Sequence, residues 1–371
     1  MYDKIEAPKN LIPTDPRFGC GPSLIPMRFI EDLAKTGPHL LGTSHRKSPV
    51  KNLCKSIRQN LTSYFGLKDG YSVVLGNGGA TLLFDMIGLG AVVKSSHHFT
   101  CGEFSEKWYK SHKKIPWLNV TTSTGEYGHG ITPTDKDGVD MLCMTLNETS
   151  TGVIMDKLPG KTKALVAVDA TSGGGQVPCD VNQTDIYFFS PQKVFSSDGG
   201  LFIAILSPRA RETILKIAED KSRYIPEIMN WKQAIENSDK DQTYNTPAIV
   251  TLYMLSRQLE EMNKIGYQKV IDGANHKAKI IYDWAAEKSY LSPFVAEAKY
   301  RSNAVATIDV DAKVDVNELL SFLEKKKWVY GIDSYRKLER NQFRISLFHN
   351  IATEDVEKLT KLISFYIEKT I

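Results

Sequence analysis

Apolar residues recur at spacings of three and four over 48–65, where Val50, Leu53, Ile57, Leu61 and Tyr64 fall on one face. That period predicts an amphipathic helix lying on a core, with Ser48 as its cap, Pro49 at the first helical position and Gly66 past its end. Beyond it the period shortens. A strand over 71–75 leads through a glycine turn to a helix over 80–89, then a helix over 102–113 and a strand over 117–122. Short apolar runs at 139–146, 164–168, 186–190 and 201–206 read as buried strands, and Ser207 with Pro208 opens another helix. Strands alternating with helices predict an α/β domain with a mostly parallel central sheet, whose sites lie at the carboxyl ends of strands.

After about residue 260 the texture changes to a long helix over 267–288, a strand over 304–310 and a helix over 316–326. Strands near Trp328 and over 343–348 precede a final helix capped by Thr353 without a full capping box. The expected organisation is a large domain over 15–260 and a smaller α+β domain with an antiparallel sheet over 261–371, with residues 1–14 packing nearby. The stretch 73–93 has the length of a membrane span, but it contains Asn77, Asp85 and five glycines. A strand, a turn and a buried helix account for it better.

Hydrophobic residues make up 42% and charged residues 24% of the 371, which excludes a disordered chain and a membrane protein. Lys and Arg number 47 against 43 Asp and Glu, a net +4. So mild an excess, with no basic run, suits small anions and argues against nucleic acid as a partner. The cysteines, Cys20, Cys54, Cys101, Cys143 and Cys179, are widely spaced with no Cys-x-x-Cys pair, so neither a metal site nor a disulfide framework is expected. The first ten residues carry Asp3, Lys4, Glu6 and Lys9 and no apolar run. A cytoplasmic protein is expected.

Three places could carry chemistry. Gly76-Asn77-Gly78-Gly79-Ala80-Thr81 follows a strand and opens a helix, which offers free amides and a positive dipole end to a phosphate, unless it is only a tight turn. Asp169 ends the strand over 164–168, as a functional acid or as a turn aspartate. Lys193, in Pro191-Gln192-Lys193, follows the next strand among apolar and small residues. A desolvated lysine can attack a carbonyl and form a Schiff base, an aspartate nearby can hold a pyridinium nitrogen, and a phosphate cup can anchor the ring.

That order, followed by a small carboxyl-terminal domain, is similar to the pyridoxal phosphate enzymes of fold-type I. Phe18-Gly19-Cys20-Gly21-Pro22-Ser23, Ser44-His45-Arg46, Asn147-Glu148-Thr149, Pro191-Gln192-Lys193 and Tyr244-Asn245-Thr246-Pro247 together resemble the phosphoserine aminotransferase family of class V, from about residue 15 onward. Tyr335-Arg336-Lys337-Leu338 with Arg340-Asn341-Gln342-Phe343-Arg344 is similar to its actinobacterial branch. The resemblance implies Lys193 as the lysine that holds pyridoxal 5′-phosphate and moves the substrate proton, with Asp169 on the ring nitrogen. It implies Gly79, Ala80, Thr81 and Gln192, joined by Asn245 and Thr246 of the partner subunit, around the cofactor phosphate. Thr149 would contact the ring oxygen and Phe104 would stack on the ring, where the family often has tryptophan. His45 and Arg46 would reach across a homodimer with shared sites to the substrate phosphate, joined by Arg336, and Arg344 would clamp the α-carboxylate.

Tyr335 stands where many members have histidine, and the gap from Arg336 to Arg344 is longer than in the larger branch, so Arg340 is a further candidate to turn inward. The implied reaction transfers the amino group of L-glutamate to 3-phosphohydroxypyruvate, giving O-phospho-L-serine and 2-oxoglutarate by a ping-pong cycle in serine biosynthesis. A second role in pyridoxine biosynthesis, on 4-phosphohydroxythreonine, stays open. The alternatives are alanine:glyoxylate transamination, or non-covalent binding of a nucleotide or sugar phosphate at the glycine turn. Cysteine desulfuration needs a nucleophilic cysteine over the cofactor, and none of the five is expected there.

Overall fold

The computed structural model describes residues 2–371. Its helices are α1 Met27–Thr36, α2 Ser48–Phe65, α3 Ala80–Gly90, α4 Glu103–His112, α5 Pro208–Ala218, α6 Trp231–Ser238, α7 Ile249–Ile265, α8 Tyr267–Glu287, α9 Val316–Lys325 and α10 Thr353–Ile367. Seven strands form the main sheet: β1 Ser72–Asn77, β2 Ser95–Thr100, β3 Asn119–Thr124, β4 Met141–Thr145, β7 Leu165–Asp169, β8 Ile186–Phe189 and β9 Leu201–Leu206. Between β4 and β7 the short strands β5 Asn147–Glu148 and β6 Val153–Ile154 pair as a hairpin. The sheet order is β1-β9-β8-β7-β4-β2-β3, and only β9 runs against its neighbours.

Why the strands read as unbroken apolar runs is visible in the packing. Alternate residues such as Leu142, Val166 and Ile203 face α2 and α7, while Cys143, Ala167 and Ala204 face α3, α5 and α6. A sheet covered on both faces leaves no polar side to alternate with. Helix α2 has the bounds its period predicts, although its cap position is Lys47, with no side-chain cap, and Ser48 is already helical. Thr353 likewise begins α10, behind Ala352.

Strand β2 was not expected. Ser-Ser-His-His-Phe-Thr carries one large apolar residue, yet all six positions are buried. Its polar groups are answered one by one: His97 Nδ1 lies 2.8 Å from Thr121 Oγ1 and Nε2 2.9 Å from Ser123 Oγ, while Thr100 Oγ1 donates to Thr124 Oγ1 at 3.0 Å. Behind the sheet, Ser96 Oγ and His98 Nε2 each lie 3.1–3.2 Å from a neighbour in a small network with His112 Nδ1. Helices α6 and α7 were also unforeseen, and the strand expected near Trp328 is a single bridge between Arg17 and Tyr330.

A second core joins the antiparallel sheet of β10 Leu291–Pro293, β11 Val305–Val310 and β12 Gln342–Ser346 to α8, α9 and α10. Tyr2, Ile5, Ala7, Leu11 and Phe18 pack into it. The segment that follows stitches regions together: Phe18 N donates to Tyr330 O, Ser346 N to Phe18 O, and Ser23 N to Gln192 O. Among the described residues no helix is long and apolar enough to cross a membrane.

Candidate active site

The carboxyl ends of β4, β7 and β8 and the amino ends of α3 and α4 surround a cavity of about 450 Å³. Of the residues the sequence singled out, Gly79, Ala80, Thr81, Phe104, Thr149, Asp169, Gln192, Lys193 and Arg344 line it. His45, Arg46, Asn245, Thr246 and Arg336 do not. A slightly larger depression of about 480 Å³ lies between α2 and β1. There Arg58 is already paired with Asp241 at 2.7 Å, whereas the first cavity brings together the residues the sequence singled out.

Lys193 follows β8 by four residues and is 8% exposed. Burial pushes its pKa down to about 8, against the raising effect of the Asp169 carboxylate. Its Nζ donates to Thr149 Oγ1 at 2.8 Å; that hydroxyl donates to Ser172 Oγ, also at 2.8 Å, and Ser172 Oγ donates to Asn147 O. Across the lysine stem lies Gly21, at φ +138°, where a Cβ would stand 2.8 Å from Lys193 Cε. Only glycine leaves the lysine its channel.

Cys20, beside it, lines the cavity too, which corrects the expectation that no cysteine does. Its thiol is buried, is pushed above the usual range by that burial, and donates to Arg344 O at 3.5 Å. It is thus a packed thiol, with the protonated form favoured, and not a poised nucleophile.

Asp169 ends β7, and burial raises its pKa. Thr171 N and Thr171 Oγ1 donate to Oδ1 at 3.0 and 2.5 Å, which fixes the carboxylate. At the start of α3, Ala80 N donates to Ser190 Oγ at 2.8 Å, and a Cβ on Gly79 would lie 3.0 Å from that oxygen. Gly78, at φ +113°, supplies the turn. Two buried side-chain oxygens on the cavity wall, Asn147 Oδ1 and Gln192 Oε1, have no partner among the described residues. Asn147, Ser172 and Ser190 were not singled out beforehand as site residues. The strand-end rule could have found Asn147 and Ser190, since Ser190 directly follows β8 and Asn147 lies two residues past β4.

The three carboxyl-terminal arginines separate cleanly. Arg344, on β12, reaches the cavity, lies 5.4 Å over the Tyr335 ring and makes two long contacts at 3.4 Å to backbone oxygens of Thr149 and Asp333. Its guanidinium keeps donor capacity. Arg340 does not turn inward: its fork grips Asp309 at 2.6 and 3.0 Å and lies over Phe294. Arg336 is exposed, and its neighbour Lys337 pairs with Glu103 of α4.

The remaining candidates form a separate cluster. His45 Nδ1 lies 3.1 Å from Thr246 Oγ1, Arg46 Nη1 donates to Gln242 Oε1 at 3.0 Å, and Asn77 Nδ2 donates to Thr246 O at 2.7 Å. His45 Nε2 is buried without a partner. The structure therefore brings His45 and Arg46 together with the loop of Asn245 and Thr246, and not with Lys193 of the same chain.

Residues 119–359 match the family model of the class-V aminotransferases. The chain is 41% identical over 374 residues to a phosphoserine aminotransferase of a Nocardioides species, covering 99% of this chain and 100% of that one. It is 42% identical over 372 residues to the phosphoserine aminotransferase of Corynebacterium glutamicum, covering 99% and 98%. Among solved structures, a phosphoserine aminotransferase from Cytophaga hutchinsonii superposes with a TM-score of 0.87 at 26% identity, over 94% of this chain and 98% of that one.

Proposed function

The chain belongs to the class-V aminotransferase family, and from that premise we propose that it transfers the amino group of L-glutamate to 3-phosphohydroxypyruvate. The products are O-phospho-L-serine and 2-oxoglutarate, and pyridoxal 5′-phosphate is the cofactor. One observation carries the reading: a buried lysine of lowered proton affinity, a buried aspartate and the amino end of α3 converge on one cavity.

The residues present fit that cofactor. The amino end of α3 suits a phosphate, and Gln192 on the same wall has an amide NH2 to donate to it. Asp169, held by Thr171, suits a protonated ring nitrogen. When bound, the pyridoxal group supplies a carbonyl that takes the amino group and a ring that stores the electron pair left on the substrate Cα.

This chain's own residues do the rest. Lys193, near pH 8 already partly neutral, takes the proton from substrate Cα and returns it. Thr149 holds its Nζ in place from the side, as acceptor of a 2.8 Å hydrogen bond. Arg344 orients the α-carboxylate, because a guanidinium fork fits a carboxylate and this one has donors to offer. Glutamate and phosphoserine share that carboxylate and differ at the far end, where a second cationic patch must accept either a carboxylate or a phosphate.

We assign that patch to His45 and Arg46 from a second copy of the chain, with Arg336. The bond between His45 and Thr246 supports this, since it makes one unit of residues that would reach a neighbouring site together. The protein in this reading is a homodimer with shared sites. Five unpaired cysteines support a place in the cytoplasm.

The test is the visible spectrum of the cofactor-loaded protein. Glutamate should bleach the bound cofactor's band, and 3-phosphohydroxypyruvate, but not pyruvate, should restore it. Equal recovery with pyruvate would move the substrate to the alanine class, and no band after added cofactor would sink the reading.

A further inference from the structure

Glu148 sits in β5, one residue before Thr149, with no exposed surface. Both carboxylate oxygens are engaged. Oε1 accepts from Ser150 Oγ at 2.8 Å and Phe104 N at 3.2 Å, and Oε2 accepts from Ser105 N and Ser105 Oγ, each at 2.9 Å. Phe104 N and Ser105 N are free amides of the first turn of α4, which need partners from outside the helix and favour an anion.

The helix cannot supply that partner itself, because its cap residue is Gly102. A Cβ at Gly102 would collide with Glu148 Cγ, so the glycine makes room for a cap delivered from another element. Burying a carboxylate is costly unless hydrogen bonds compensate it. A side-chain hydroxyl or amide at the usual cap position would serve a merely structural helix end. What the long-range cap fixes is the second residue of α4. The Phe104 ring stands 4.9 Å from Lys193 Nζ and 5.9 Å from the Tyr335 ring, on the cavity wall.

Resting on the reading above, we propose that Glu148 is a positioning residue: through the amino end of α4 it sets Phe104 against the cofactor ring.

The experiment is a double-mutant cycle read as the dissociation constant of pyridoxal phosphate by equilibrium dialysis, on wild type, E148Q, F104A and the double variant. E148Q and F104A should each weaken binding by about twofold to tenfold, the worth of one aromatic contact. The double variant should be no weaker than F104A alone, because Glu148 acts through that ring. Additive losses would overturn the proposal, as would wild-type affinity in either single variant. If circular dichroism shows that E148Q does not fold, S105A, which removes one hydroxyl donor to the same carboxylate, takes its place in the cycle. Wild-type protein that fails to bind the cofactor would instead refute the function proposed above.

Discussion

Two lysines are buried among the described residues, in two different regions, and desolvation treats them alike. Lys193, at the carboxyl edge of the large sheet, is pushed down to about 8, and Lys277, on α8 against the small sheet, to about 7. They differ in what their ammonium donors meet. Lys277 Nζ donates to Phe348 O at 2.6 Å and Ile351 O at 3.0 Å, closing the turn between β12 and α10. Lys193 donates to one hydroxyl and faces a cavity with a carboxylate on its wall. A displaced proton affinity is therefore common to a bolt and to the lysine proposed to react. Unfilled donor capacity facing open space separates them, and the arginines repeat the lesson: Arg340 is saturated by Asp309 while Arg344 is not.

The largest effect should fall on the reactive member of the pair. K193A should lower kcat by at least about 10³-fold, in the upper range for a lost general acid–base, and K193A with wild-type turnover would erase the distinction. R344A should raise KM for glutamate by roughly 10- to 100-fold, the worth of hydrogen bonds from a charged group, with little change in folding. K277M should leave steady-state kinetics unchanged and cost about 1–3 kcal/mol in urea unfolding, since it strands two buried carbonyls. Loss of turnover in K277M at intact stability would break the comparison from the other side.

The same lysine gives a pH signature. Folded Lys277 titrates near 7 and the unfolded chain near 10.5, so unfolding takes up a proton between those values. Stability from this group is fully present above the unfolded value and is lost as pH falls toward about 7. The stability of wild type relative to K277M should therefore rise from pH 7 to pH 10, and a flat difference would contradict a buried neutral lysine. The smallest effect is R340A, whose exposed ion pair should cost under about 1 kcal/mol and leave KM for both substrates as it was.

How much of this was legible in the sequence follows from what kind of force places each part. Buried strands such as β9 and the amphipathic α2 announce themselves through side-chain period, and Asp169 and Lys193 through their place at strand ends. Strand β2 hid because its burial rests on partners in other elements: nothing in Ser-Ser-His-His says that Thr121, Ser123 and His112 will answer it. The opposed direction of β9 hid for the same reason, since strand direction is a property of the pairing and not of the residues. Cys20 and Gly21 were noticed as a motif but not as cavity wall, because the lysine they pack against is about 170 positions away. Arg340 and Arg344 differ by four positions and share a chemistry, so only the location of Asp309 could tell them apart.

The thread from Pro16 to Ser23 bears on the order of events during synthesis. Tyr330 N donates to Pro16 O, Phe18 N to Tyr330 O and Ser346 N to Phe18 O, so the earliest part of the chain is held by some of the latest. A nascent chain that has delivered the whole seven-stranded sheet still lacks the anchors for Cys20 and Gly21 and the guanidinium of Arg344. Domains assemble largely in the order they leave the ribosome, which makes the pocket a late event: cofactor capture should wait for release of nearly the entire polypeptide, and a chain halted before residue 330 should carry its lysine in an unclosed wall.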